Sequence, residues 1–204
     1  MISERELEHR LSPYLPSGTA DTIARWIVKS GVHFRITMPR NSVYGDYQHP
    51  YGGKGHRITV NGNLNAFSFL VTTVHEFAHL ECWLKHGNWV KPHGDEWKWE
   101  YKNLMRPFLE RHVFPDDIEK ALRKYMADPG ASSCSDGDLM RTLKRYDRIR
   151  QILLEEISEG VAFRLSDRDF IRGKKLRTRY ECKEIGTGHV YLINGTAEIV
   201  LLEP

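Results

Sequence analysis

The residues that most constrain this chain are NAFSFLVTTVHEFAHLECWLK, positions 65–85, a mostly apolar run with neither Gly nor Pro. The run predicts a helix that is apolar on several sides, and such a helix belongs at the buried centre of its domain. Yet its middle carries His75, Glu76 and His79. Ionisable groups in a buried helix cost free energy unless something there pairs with them. Positions i and i+4 lie on one helical face about one turn apart, so both imidazoles reach a single zinc ion. Glu76 follows the first of them and aims its carboxylate at water beside the metal without ligating it. The competing reading is a core in which the two histidines are hydrogen-bonded and Glu76 is paired with a base.

A catalytic zinc needs three protein ligands and an open position. His86 is seven residues beyond His79, which on a continuing helix is about 10.5 Å of rise, too far for a ligand bond of about 2 Å. Cys82 and Lys85 stand where an HExxHxxGxxH pattern has its Gly and its third His, which excludes that class. Three candidates remain open. Glu96 and Glu100 suit a site that uses a downstream glutamate. His93 lies 14 residues after His79, beyond the Gly/Pro-containing stretch GNWVKP, and a chain that reverses there returns His93 to the metal.

HEFAH, thirteen residues, then HGDEW resembles the SprT-like zinc metallopeptidase family, whose pattern is HExxH followed by HG-x-x-aromatic. The preceding HRITVNGNLNAFSFLVTT, a strand and a short Asn/Leu segment leading into the motif helix, is also similar, and the resemblance covers roughly residues 20–115. It implies that His75, His79 and His93 bind one Zn2+, that Glu76 is the catalytic acid/base, and that His93 is favoured over Glu96 and Glu100. Trp97 matches the aromatic position and is expected to pack. The implied activity is endopeptidase cleavage of a protein substrate. Its oxyanion donor is unassigned, with Tyr44, Tyr47, His49 and Tyr51 in a turn-rich loop as the residues able to lean over the site.

The expected fold class is α+β: a mainly helical zincin-like core with a small antiparallel sheet, followed by a small antiparallel β module. Alternation in VHFRITM and HRITVNG predicts two core strands. Asp95 is the expected N-cap of the helix after His93. From about Val161 short strands are split by Gly and Asn turns, and Asn194-Gly195 is a strong hairpin signal. The expected domains are 1–131 (peptidase), 132–160 (a basic helical connector) and 161–204 (the β module). Cys82, Cys134 and Cys182 are far apart and form no CxxC, so neither a disulfide framework nor the cysteine zinc ribbon found in many members of the family is expected. The charged N-terminus and the lack of an apolar run of about 18 residues predict a cytoplasmic protein with no membrane partner.

Charge is local. Residues 141–181 carry 12 Lys/Arg against 7 Asp/Glu, whereas residues 1–140 balance. Arg141, Lys144, Arg145 and Arg148 are expected on one helix, and Lys174, Lys175, Arg177 and Arg179 cluster near Tyr180. Clustered cations with an aromatic neighbour suit a phosphate backbone and unpaired bases. Relatives of the family include Spartan-type DNA-dependent proteases, so the resemblance implies DNA as a second partner, single-stranded in preference. The alternatives are a solvated basic face and, for the whole protein, a nucleic-acid-binding protein with a structural zinc and vestigial peptidase activity.

Overall fold

The computed structural model describes residues 2–40, 43–130 and 137–202. The chain is α+β and divides into two compact units, residues 1–147 and 148–204, each with its own apolar core.

In the first unit, α1 (Glu4–Leu11) begins where the Ser3 side chain accepts the Glu6 N–H, which satisfies one of the orphan donors of the first turn. It is followed by α2 (Ala20–Ser30), β1 (His33–Thr37), β2 (Gly45–Gln48) and β3 (Arg57–Asn61). The remaining helices are α3 (Ala66–His86), α4 (Asp95–Glu110), α5 (Asp116–Ala127) and α6 (Gly137–Lys144). The long apolar run forms α3 as expected. Every residue from Ser68 to Ala78 is buried, and Phe69, Leu70, Val74 and Phe77 join the core with Ile58 and Val60 of β3, Trp97 and Tyr101 of α4, and Ile118 of α5. Each fully buried side chain of this size contributes about 1.5–3 kcal/mol, so α3 is the element around which the unit closes. Asn65 caps it, its side chain accepting the Ser68 N–H.

The core sheet has the order β1-β3-β2 and is mixed rather than antiparallel. β1 runs parallel to β3 and β2 antiparallel to it. The chain leaves β1 for the far edge, returns as β2 and turns into β3, which therefore lies between the other two. That places β2 at an edge of the sheet. Gly94, not Asp95, is the N-cap of α4, and Asp95 is its first residue.

The basic helix read across residues 132–160 ends at Lys144. Its buried stripe of Leu139, Met140 and Leu143 is followed by Tyr146, whose ring packs on Phe67, and by Asp147, which accepts from the Asn65 amide; the chain is held there by these contacts without a further helical turn. The division at residue 147 falls within the expected connector, and residues 132–136 of that connector, with Cys134, lie outside the described residues.

The second unit comprises β4 (Ile152–Leu153), β5 (Ala162–Leu165), β6 (Arg168–Lys175), β7 (Arg179–Glu184), β8 (Val190–Asn194) and β9 (Glu198–Leu201). They form one antiparallel sheet in the order β4-β9-β5-β6-β7-β8 over Leu154, Phe163, Phe170, Tyr180, Cys182 and Ile199. Asn194-Gly195 does not make the expected hairpin, because β8 pairs with β7 while β9 pairs with β4 and β5. The Asn194 side chain instead accepts the Thr196 N–H. Gly195 is required for close approach: a Cβ there would sit 2.9 Å from the Tyr180 ring. Among the described residues, no helix is long and apolar enough to cross a membrane.

Candidate metal centre

His75 and His79 lie one turn apart on α3, and His93 reaches them from the loop that precedes α4. One nitrogen from each of the three falls within 4.8 Å of the others. His75 Nε2 and His79 Nε2 are 3.3 Å apart. Two nitrogens each about 2.0–2.1 Å from one tetrahedral ion are separated by about 3.3 Å, so the pair already has a zinc-like spacing. His93 adopts φ 58, a left-handed conformation that costs a residue with a Cβ of order 1–3 kcal/mol and persists where the surroundings enforce it. The reversal at Gly87, whose φ is also positive, precedes it.

Trp97 forms the floor. Its ring lies 4.7 Å from His75, 5.3 Å from His79 and 4.7 Å from His93, centroid to centroid. Tyr101, one turn further along α4, lies 5.4 Å from His75. This packing keeps the imidazoles neutral. Burial, and then the neighbouring imidazoles, hold His75 well below its ordinary value. The same causes bring His79 down to about 3, and burial lowers His93. Neutral imidazoles present lone pairs, the form a metal requires. His75 Nδ1 and His93 Nε2 are buried without a hydrogen-bond partner among the described residues, a cost that a ligand bond at one of these nitrogens would remove. The donor set therefore fits a divalent ion of the zinc type, which takes three imidazoles and a fourth ligand.

Glu76 points toward β2. The Tyr47 backbone N–H donates to its carboxylate, with Asp46 and Arg40 nearby. Burial, reinforced by Asp46 and opposed by Arg40 and the Tyr47 N–H, pushes its pKa up to about 8. Strand β2 approaches so closely that a Cβ on Gly45 would stand 2.6 Å from Thr72 Cγ2 and 2.7 Å from Glu76 Oε1. The loop before β2 is held by buried Asn61, whose amide donates to the carbonyls of Arg40 and Val43 and accepts from Arg40 Nε.

The other candidates separate. Glu100 is buried but accepts from Lys85 Nζ at 2.7 Å; it and Glu96 are outside the group of three, as is His86. Of the four loop residues expected to lean over the site, Tyr47 stacks on His79 and His49 on Trp83. Tyr44 accepts the Asn61 N–H through its carbonyl, and Tyr51 is 80% exposed. The basic residues are divided between the units. Arg141 and Lys144 are on α6, with Arg141 bridging to Asp138. Arg145 follows the helix and pairs with Asp117. Arg148 opens the second unit. Lys174, Lys175, Arg177 and Arg179 are exposed around the β6–β7 turn, with Lys174 within 3.7 Å of Glu181 and Lys175 5.8 Å from the Tyr180 ring centroid. The roles of Gly45, Asn61 and Arg40 were missed at the sequence level: Gly45 looks like one more turn glycine, and its contact with Glu76 is purely tertiary.

The chain is similar over part of its length to proteins named SprT. Those of Escherichia coli and Shigella boydii are each 34% identical over 87 residues, 42% of this chain and 48% of theirs. The chain thus matches about half the length of these curated relatives. The similarity supports a SprT-like family. No family model matches the chain, and no solved structure does.

Proposed function

We propose that the first unit is a zinc-dependent endopeptidase of the SprT-like type on a zincin-like core. The observation that carries this reading is the convergence of three neutral imidazoles beside a buried, otherwise weakly paired carboxylate, Glu76. A structural zinc site has no use for that carboxylate. When bound, Zn2+ supplies Lewis acidity toward a carbonyl and lowers the pKa of water. His75, His79 and His93 would hold it. Glu76 takes the proton of the attacking water and passes it to the leaving amine, and an acidity near neutrality suits both halves of that task. Nearby positive charge moves Glu76 back toward its ionised form. Strand β2, the edge strand beside Glu76, suits an extended peptide that adds main-chain hydrogen bonds to the sheet.

We extend the reading to DNA-bound or DNA-crosslinked protein substrates and to activation by DNA. The exposed cations of the β6–β7 turn support that extension, and the same cations favour the second reading, a nucleic-acid-binding protein with a structural zinc.

The test compares wild type with Glu76→Gln on casein and on a DNA-bound protein, with and without single-stranded DNA. Cleavage by wild type alone is expected, and equal cleavage by both eliminates Glu76 as acid/base. Zinc content provides the second measurement: His93→Ala should lose the stoichiometric ion, and full occupancy in that variant removes His93 from the ligand set.

A further inference from the structure

Tyr47 touches both halves of the centre. Its backbone N–H donates to the Glu76 carboxylate. Its ring lies parallel to that of His79, with centroids 6.2 Å apart and 4° between the planes. Its hydroxyl is 2.8 Å from His56 Nδ1. His56 in turn meets the Trp83 ring edge-on at 4.8 Å, and Trp83 is four residues beyond His79 on α3. The contacts close a circuit from α3 through β2 to the residue before β3 and back to α3. We infer that Tyr47 is a positioning residue that fixes Glu76 and His79 relative to one another, and that His56 acts through it by setting the direction of the phenol.

Phenylalanine would fill the same space, so packing does not explain the hydroxyl. The hydroxyl and His56 Nδ1 lie at hydrogen-bond distance, the direction of the bond depending on the imidazole tautomer. A hydrogen-bonded pair of this kind at the edge of a metal site orients the ligand beyond it, as outer-shell partners do. The side chain lies parallel to the His79 ring while the main chain of the same residue holds Glu76. A shift of Tyr47 displaces both groups together.

This inference rests on the peptidase reading for its kinetic part and not for its metal part. The experiment titrates Zn2+ against a chromophoric chelator and measures kcat and KM on casein. It uses wild type, Tyr47→Phe, Tyr47→Ala, His56→Ala and the double variant Tyr47→Phe/His56→Ala. Tyr47→Ala is expected to weaken Zn2+ binding by about 10–100-fold, the usual effect of losing an outer-shell partner, and to lower kcat with KM little changed. Tyr47→Phe and His56→Ala should each lower kcat by the same factor, about 2–10-fold for one neutral hydrogen bond, and the double variant should be no worse than either. Wild-type Zn2+ affinity in Tyr47→Ala overturns the inference, and so do fully additive effects in the double variant. If Tyr47→Ala does not fold, the Phe/His56 cycle on Zn2+ affinity and kcat decides. If wild type cleaves nothing, the peptidase reading fails alone, and the Zn2+ measurements still decide the role of Tyr47.

Discussion

Glu76 in the first unit and Glu184 in the second each lie near an arginine, and their acidities move in opposite directions. Glu76 is 6% exposed and rises to about 8, because burial and Asp46 outweigh Arg40 and one backbone N–H. Glu184 falls to about 2, because Arg168 Nε at 2.5 Å and the Thr187 hydroxyl both donate to it. In the second unit Arg164 grasps Asp169 through two nitrogens, although Arg172 Nε is buried without a partner among the described residues. In the first unit Glu76 is buried with the Tyr47 N–H donating to it, beside His75 Nδ1 and His93 Nε2, which are buried without a partner among the described residues. A buried carboxylate whose pKa is raised costs the fold stability, whereas Glu184 is bonded to Arg168 and Thr187; on the peptidase proposal, acid/base work is the reason Glu76 is kept.

The largest expected effect is that of Glu76→Gln. Loss of a general acid/base lowers kcat by about 10²–10⁴-fold. Stability should move the other way. In metal-free protein the folded pKa of Glu76, about 8, exceeds the ordinary value of 4.5. Stability is then lost as pH rises from 4.5 through 8. The Gln variant should therefore match wild type near pH 4 and melt at a higher temperature near pH 9. A lower Tm for the variant at pH 9 would show that Glu76 is paired after all.

Gly45→Ala comes next. The new methyl meets Thr72 and Glu76 at well under contact distance, and overpacking of this kind costs about 1–3 kcal/mol, read as a lower urea midpoint. Because Glu76 is one of the groups that must yield, kcat should fall even at temperatures where the variant is fully folded. A folded variant with wild-type kcat would show that β2 has freedom to withdraw. The metal-free histidines give a smaller, pH-dependent effect. The folded pKa of His79 is about 3, below its ordinary 6.5. Its contribution is complete above 6.5 and is lost as pH falls toward 3. The Tm advantage of His79→Phe over metal-free wild type should grow across that interval, and a difference independent of pH would mean that His79 is not held neutral.

The parts of the site on α3 were legible because one helix supplies both the apolar pattern and the i, i+4 spacing. The chemistry of His75, Glu76 and His79 is local in sequence. His93 was one of three open candidates until the resemblance favoured it, since its return depends on a left-handed residue in a loop that spacing does not describe. Strand β2 was hidden. Gly45-Asp46-Tyr47-Gln48 has little strand propensity, and it is a strand because β3 and Glu76 bind its backbone. The parallel pairing of β1 with β3 was hidden for a related reason, as alternation reveals a strand but not its direction. The basic helix expected beyond Lys144 is absent: Tyr146 and Asp147 are held by Phe67 and Asn65, and Ile152–Leu153 is a strand.

The smallest expected effect is in the second unit, where it matters most for the contrast with Glu76. Glu184→Gln removes a carboxylate that is bonded to Arg168 and Thr187. The guanidinium it leaves behind still lies 4.4 Å from the Tyr191 ring centroid and 5.3 Å from that of Phe170, and is 46% exposed. Water and the two ring faces replace the lost partner. Ion pairs at such positions contribute little and are screened by salt. The folded pKa of Glu184 is depressed, so its contribution is present above 4.5 and is lost as pH falls through about 2. The sign is therefore opposite to that of Glu76. At neutral pH the Tm of Glu184→Gln should drop slightly at low salt and be indistinguishable from wild type at high salt. A drop as large as a core truncation, persisting at high salt, would mean that the second unit also relies on its charges for structure.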